Sequence, residues 1–287
     1  MAVPAWLALA SFDMTAWGVG QVVVKRATDR LGAVTMVLLA SLLDGAGYVV
    51  LFLLFGGPFA ASLATYAFAA LSGITGMAGY ILYYEALLRG NVSVVATITA
   101  GSPVITILGA IAFFGEVPSL AQGIGMALLV SAVLILSYEP IGDDWKVPVA
   151  VVLSVAILVL WGVWGLFTKA AVEDPGLGPW NILLFYAAAN ASMGFPYYIW
   201  RRKRDRASAP SRGAYGLGVL GLGTLFCGIV ALTFALSVGP ASLATAVSGS
   251  APVVTALVAF AFLRERPTPW RIGALALFVP GIVLVAF

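Results

Sequence analysis

Two acids stand inside apolar runs that hold no other charge. Asp13 lies about ten residues into the run 3–24, and Asp44 about twelve residues into the run 33–55. If these runs cross a bilayer, both carboxyls fall near its midplane, where a charge costs at least about 2.5 kcal/mol on insertion scales. A carboxyl at that depth takes up a proton, pairs with a cation, or is bound into a local polar network. Thr15, Ser41 and Asn190 are the candidates for such a network. Residues of this kind are by default functional, through charge recognition or coupling to an ion.

Aromatic residues stand beside them. Trp17 is spaced i, i+4 from Asp13 and so shares its helix face. Lys25 is expected to end this helix, which puts Trp17 about 12 Å inside, deeper than the interfacial belt where tryptophan anchors. Trp161 takes the same depth in a later helix, with Trp164 nearly one turn on. Two deep indoles are expected to face each other across a central cavity, with packing against lipid as the competing account. An aromatic wall beside a carboxylate suits an amine or quaternary ammonium, through a cation–π attraction of about 0.5–2 kcal/mol.

Further candidates follow from polarity and helix interruption. Tyr80 and Tyr84 share a face, with Tyr83 adjacent, and their hydroxyls need partners when buried. The stretches TITAGSP (97–103) and VSGSAP (247–252) put Thr99 and Ser102, and Ser248 and Ser250, just ahead of or beside prolines. A proline frees a backbone carbonyl one turn back, and such breaks mark transport sites in membrane folds. Glu85 and Arg89, at i, i+4, are expected to pair with each other. Glu116 and Glu265 lie beside prolines and read as turn or cap residues.

The elements that must carry these residues are membrane helices. With 62% hydrophobic and 9% charged residues among 287, and a mean hydropathy of +1.05, the chain has too little polar surface to solvate a globule. Cutting at turn and charge clusters leaves ten runs of roughly 20 residues, the length that crosses a bilayer core of about 30 Å. They fall near 3–24, 33–55, 62–88, 92–114, 119–138, 147–170, 179–200, 214–237, 241–263 and 269–287. The first is read as a span, since it lacks the basic start of a signal peptide. No gap is long enough for a soluble domain.

The ten runs repeat as five plus five. Trp17, Gly18, Val19, Lys25 and Ala27 match Trp161, Gly162, Val163, Lys169 and Ala171 at an offset of 144. Ala86-Leu87-x-x-Gly90-x-x-Ser93 matches Ala235-Leu236-x-x-Gly239-x-x-Ser242 at an offset of 149. The same offset carries Pro103, Thr106, Phe113, Glu116 and Pro118 onto Pro252, Thr255, Phe262, Glu265 and Pro267. Two blocks in the same order argue for duplication. The halves are 1–140 and 141–287, within a single membrane domain. Because five is odd, the second half enters from the opposite side, giving two inverted repeats around a central cavity. The aspartates have no counterparts in this repeat, since Ile157 stands where Asp13 would map.

On these blocks, the Trp-Gly…Lys end of each half's first helix and the Ala-Leu…Pro…Glu pattern across its third to fifth, the chain resembles the drug/metabolite transporter superfamily, EamA type. The resemblance implies a ten-helix carrier of small metabolites whose cavity is lined by the third, fourth, eighth and ninth helices and bordered by the first and sixth. Small polar metabolites such as amino acids or amine-bearing compounds are the expected cargo, with a proton or another ion as the coupling partner. The alternative is a multidrug or choline-like cation transporter, akin to the small multidrug resistance proteins that resemble half of this chain.

The charge pattern gives an orientation. Fourteen of the 15 Lys and Arg fall on one side of this topology, and Lys169 alone on the other. Positive loops stay in the cytoplasm, so both termini are expected outside the cytoplasm in a multi-pass cell-membrane protein. Arg201-Arg202-Lys203-Arg204-Asp205-Arg206 is read as part of this signal, with no nucleic acid expected as a partner. With no His and the single Cys227, the sequence offers no nucleophile, metal set or phosphate cradle for an enzyme, and no cofactor or metal is expected. Two halves supply no ring of like residues for a passive channel. The chain is read as a monomer in the lipid bilayer.

Overall fold

The computed structural model describes residues 3–89, 92–137, 149–202, 212–262 and 269–286, and every regular element among them is helical. The first half gives α1 (Ala5–Leu31), α2 (Ala33–Phe55), α3 (Leu63–Leu87), α4 (Val92–Thr99), α5 (Ser102–Phe114) and α6 (Leu120–Ser137). The second gives α7 (Val149–Val172), α8 (Gly178–Ala189), α9 (Phe195–Arg201), α10 (Arg212–Val238), α11 (Ala241–Ser248), α12 (Ala251–Phe262) and α13 (Pro269–Ala286). A π-turn over Asn190–Gly194 joins α8 to α9. Because α4 and α5, α8 and α9, and α11 and α12 are each pieces of one run, these elements make up the ten expected spans of an all-α membrane fold. Six helical stretches are individually long and apolar enough to cross a membrane, among them α1, α2, α3, α7 and α10.

The fourth and ninth spans break where the sequence predicts. Pro103 and Pro252 each sit at the second position of a new helix, where the missing N–H costs nothing. The chain turns into them through i to i−3 bonds, Gly101 N to Ile98 O at 3.1 Å and Ser250 N to Val247 O at 3.0 Å. The two breaks touch, and a Cβ on Gly249 would overlap the Pro103 ring.

The first helix differs from expectation at its end. Lys25 does not terminate it: α1 continues to Leu31 and stops at Gly32, whose φ of 78° is a conformation that favours glycine. Lys, Arg and Ala are good helix formers, so the helix continues for nearly two more turns once the apolar run is over. Trp17 still lies next to the midpoint of α1, and Trp161 at that of α7.

Packing follows the repeat. α1 lies along α10 as α7 lies along α3, and α1 meets α11 and α12 as α7 meets α4 and α5. α2 with α8, and α6 with α13, pair equivalent helices across the pseudo-axis. The exchange holds at the level of atoms. A Cβ on Gly18 would strike Val254 and Ala251 O, and one on Gly162 would strike Ile105 and Ser102 O, positions that the offsets interchange. Small residues here let backbones approach, which lipid alone does not drive.

Glu116 is a cap, though of a helix in the other half. Its carboxylate accepts the Ser242 N–H at 2.9 Å, together with the Ala241 N–H and the Ser242 hydroxyl, at the start of α11. Glu265, the basic run 203–206 and residues 138–148, where the boundary between the halves is expected, lie outside the described residues.

Candidate functional site

A cavity of about 770 Å³ runs from the centre of the bundle to one face. Its mouth is formed by Lys25, Thr28 and Asp29 at the end of α1, Ala33 at the start of α2, Leu87 at the end of α3, and Phe260 on α12. Of the basic residues, Arg26 and Arg30 at the end of α1 and Arg89 just after α3 lie at this face. The opposite end is shut by direct contacts. Asn181 bonds both Gly57 N (2.9 Å) and Gly57 O (3.1 Å), and Thr65 donates to Asp174 Oδ2 at 2.7 Å. Phe52, Phe59, Tyr66 and Phe185 stack over the same end.

At the inner end of the cavity the predicted aromatic residues meet. The rings of Trp17 and Trp161 are edge to face at 6.5 Å, in direct contact instead of on opposite walls. Tyr80 bridges them, 6.4 Å from Trp17 and 5.7 Å from Trp161, and Tyr83 lies 5.5 Å from Trp161. Trp164 packs on Tyr186 at 6.4 Å. Bare glycine makes room for the indoles: a Cβ on Gly79 would overlap Trp161, and one on Gly228 would overlap Trp17, again an exchanged pair.

Asp13 and Asp44 both line this cavity and are nearly inaccessible, at 1% and 6% exposure. Asp13 Oδ2 accepts a hydrogen bond from the Ser248 hydroxyl, which ties α1 to the break in the ninth span. Asp13 Oδ1 and Asp44 Oδ1 are buried without a hydrogen-bond partner among the described residues. The local networks that the sequence suggested do not serve them. Thr15 bonds Ser11 O, Ser41 bonds Val37 O, and Asn190 bonds Tyr186 O, each within its own helix turn.

Of the remaining candidates, Tyr84, Thr99 and Ser102 line the cavity beside Ser248. The Thr99 hydroxyl is turned onto Val95 O at 2.9 Å. Ser250 is not part of the lining; it is fully buried and bonds Ala246 O at 2.9 Å, restoring a carbonyl near the break. Glu85 does pair with Arg89, and it also accepts from Tyr197 (2.8 Å) and Arg201 (3.2 Å), which joins α3 to α9.

Sequence reasoning passed over several lining residues. Tyr48, one turn from Asp44, and Gln21, one turn from Trp17, were findable by their i, i+4 spacing, whereas Tyr186 and Thr245 reach the cavity through packing between distant helices. The Tyr186 hydroxyl joins those of Ser72 and Thr168 in a buried cluster, 2.6 Å from Ser72 to Thr168 and 2.9 Å from Thr168 to Tyr186. Lys169, which the sequence left as an exception to the charge pattern, is buried and bonded to Leu236 O (3.1 Å), Gly239 O (3.0 Å) and Glu173 (2.9 Å). Among the described residues, no three acidic or thiol side chains converge to hold a metal.

The family model for the EamA-like transporter family matches the chain twice, over residues 4–138 and 148–287. The chain belongs to that family. As an EamA-like protein it is a multi-pass membrane transporter of the drug/metabolite transporter type, built from two repeats. A solved structure titled only as a crystal structure of a protein is similar at a TM-score of 0.78 and 16% identity, over 97% of this chain and 95% of that one, which shows the shared fold. No curated protein matches the sequence.

Proposed function

We propose that this EamA-like protein is a monomeric secondary carrier of the cell membrane that moves small polar metabolites with an amine or other cationic centre, amino acids among them, by alternating access. Asp13 and Asp44 recognise that charge or exchange it for a proton. The observation that carries this reading is the pair of buried carboxylate oxygens, Asp13 Oδ1 and Asp44 Oδ1, left without donors among the described residues in one cavity beside Trp17, Tyr80 and Trp161. A buried acceptor without a partner is costly. An ammonium group or a proton supplies what it lacks, and the aromatic faces add cation–π attraction. The cavity volume falls within the range of about 300–1,000 Å³ typical of small-ligand sites.

A choline-like or drug cation is the second reading, favoured by the aromatic contacts around Trp161, which suit a cation that brings no N–H donors. The positive-inside rule sets the basic-rich face in the cytoplasm, so the cavity opens inward and both termini lie outside.

Counterflow in proteoliposomes, with amino acids, amines and quaternary ammonium ions offered with and without a pH gradient, tests these assignments. Asp13→Asn and Asp44→Asn are expected to reduce exchange by about tenfold or more, the scale of a lost charge-assisted hydrogen bond. Exchange that stays intact and pH-driven in both variants overturns the role given to the aspartates. Quaternary ions outcompeting amines would select the second reading. A periplasm-active reporter fused after Phe287 that stays inactive on inserted protein would reverse the orientation.

A further inference from the structure

Lys169 and Lys25 are equivalent in the repeat, and so are the acids four residues beyond them, Glu173 and Asp29, at the same offset of 144. The carbonyl partners correspond as well, since the offset of 149 carries Leu236 onto Leu87. One set of residue types is therefore present twice, once at each end of the bundle. At the closed end it is assembled: the Lys169 ammonium holds Leu236 O, Gly239 O and Glu173, and its side chain is almost fully buried. At the open end it is apart: Lys25 and Asp29 are exposed, line the mouth of the cavity together with Leu87, and make no ion pair among the described residues.

We propose that Lys25 and Lys169 are alternating latches of the transport cycle. In the state that faces the other way, Lys25 Nζ takes the Leu87 carbonyl and the Asp29 carboxylate and seals the basic-rich mouth, while Lys169 releases Leu236 and Gly239. An ammonium suits the task, having three donors and seating at a helix C-terminus, where the last carbonyls lack partners and the helix dipole favours a cation. Because each latch forms the same kinds of bond, the bonds lost at one end are replaced at the other, which keeps the two states close in free energy. This accounts for Lys169 on a side otherwise without basic residues. The inference rests on the alternating-access reading, and the experiment separates the two.

Val172 and Thr28 are equivalent positions, three residues beyond each lysine; Val172 is buried at the closed end and Thr28 lines the open mouth. In a Cys227→Ser background in detergent, where reagent reaches both faces, Val172→Cys and Thr28→Cys report opening of the respective faces through their rates of modification by a hydrophilic maleimide. Lys169→Met is expected to raise the Val172→Cys rate by about tenfold and lower that of Thr28→Cys, and Lys25→Met to do the reverse. Opposite signs are the mark of a latch, because a merely structural lysine would shift both reporters alike. Equal signs, or rates unchanged within about twofold, overturn the proposal. Lys25 is exposed, so its arm decides the matter even if Lys169→Met does not fold. If Val172→Cys is modified in no background while Thr28→Cys is, the second face never opens, and alternating access fails together with the latches.

Discussion

The Trp17 and Trp161 rings meet edge to face at 6.5 Å on helices that the repeat interchanges, so the two halves touch through equivalent side chains at the inner end of the cavity. Trp161 also contacts Tyr80 and Tyr83, and Trp17 is bounded on its other side by Gly228. Trp161→Leu should therefore raise KM for a cationic substrate by about 2- to 30-fold, the range of one cation–π contact, with a smaller effect on a neutral competitor. Competition counterflow measures both. Equal losses for charged and neutral ligands would assign the ring to packing alone.

Thr106 donates to Gly162 O at 2.7 Å, and Thr255 donates to Gly18 O at 2.9 Å, the same bond in each half. Each replaces a side chain at a glycine where two helices approach closely. Thr106→Val and Thr255→Val should each cost about 1 kcal/mol, seen as a fall in Tm of about 2–4 °C in detergent. Unequal shifts would mean that the two crossings carry different loads.

Much of this arrangement was legible in the sequence, because duplication writes it twice. The offsets that matched Pro103 to Pro252 and Trp17 to Trp161 also fixed which helices would break and which side chains would lie at mid-depth. What stayed hidden depends on contacts between distant residues. Nothing near Asp13 announces Ser248, 235 residues away, and the packing of α1 against the ninth span decides that bond. The end of α1 was misplaced because Lys25 marks where apolar sequence stops, whereas the helix stops where Gly32 changes φ.

Glu116 holds the first turn of α11 from across the repeat boundary, accepting the N–H groups of Ala241 and Ser242. These are among the donors that every helix start leaves unpaired. Glu116→Gln weakens both bonds and removes the charge at a helix N-terminus, at a cost of about 1–2 kcal/mol. The variant should melt at least about 2 °C lower, and Glu116→Ala lower still. An unchanged Tm for both would show that the cap contributes nothing.

Asp174 lies in the turn after α7, outside the spans, where the Thr65 hydroxyl, Gly176 N–H and Ser62 N–H hold its carboxyl below the usual carboxylate range. A depressed folded-state value means that the contribution is present above the ordinary carboxylate value and is lost as pH falls through the folded one. The Tm difference between the wild-type protein and Asp174→Asn should therefore be largest near about pH 7 and shrink toward about pH 3. A difference that grows on acidification would contradict the assignment.

The π-turn over Asn190–Gly194 sets the phase of everything after it. One added residue in a helix advances each later side chain by about 100°. With that advance in place, Tyr197 and Arg201 reach Glu85. The turn is itself pinned from α2, because any side chain at Gly194 would collide with Ser41. Deleting one residue from 190–194 would leave every helix intact on paper, yet rotate the Glu85 partners out of reach and uncouple α3 from α9. The grip at the Glu85 end of these helices is thus a matter of angular timing, set about two turns upstream by a single surplus residue.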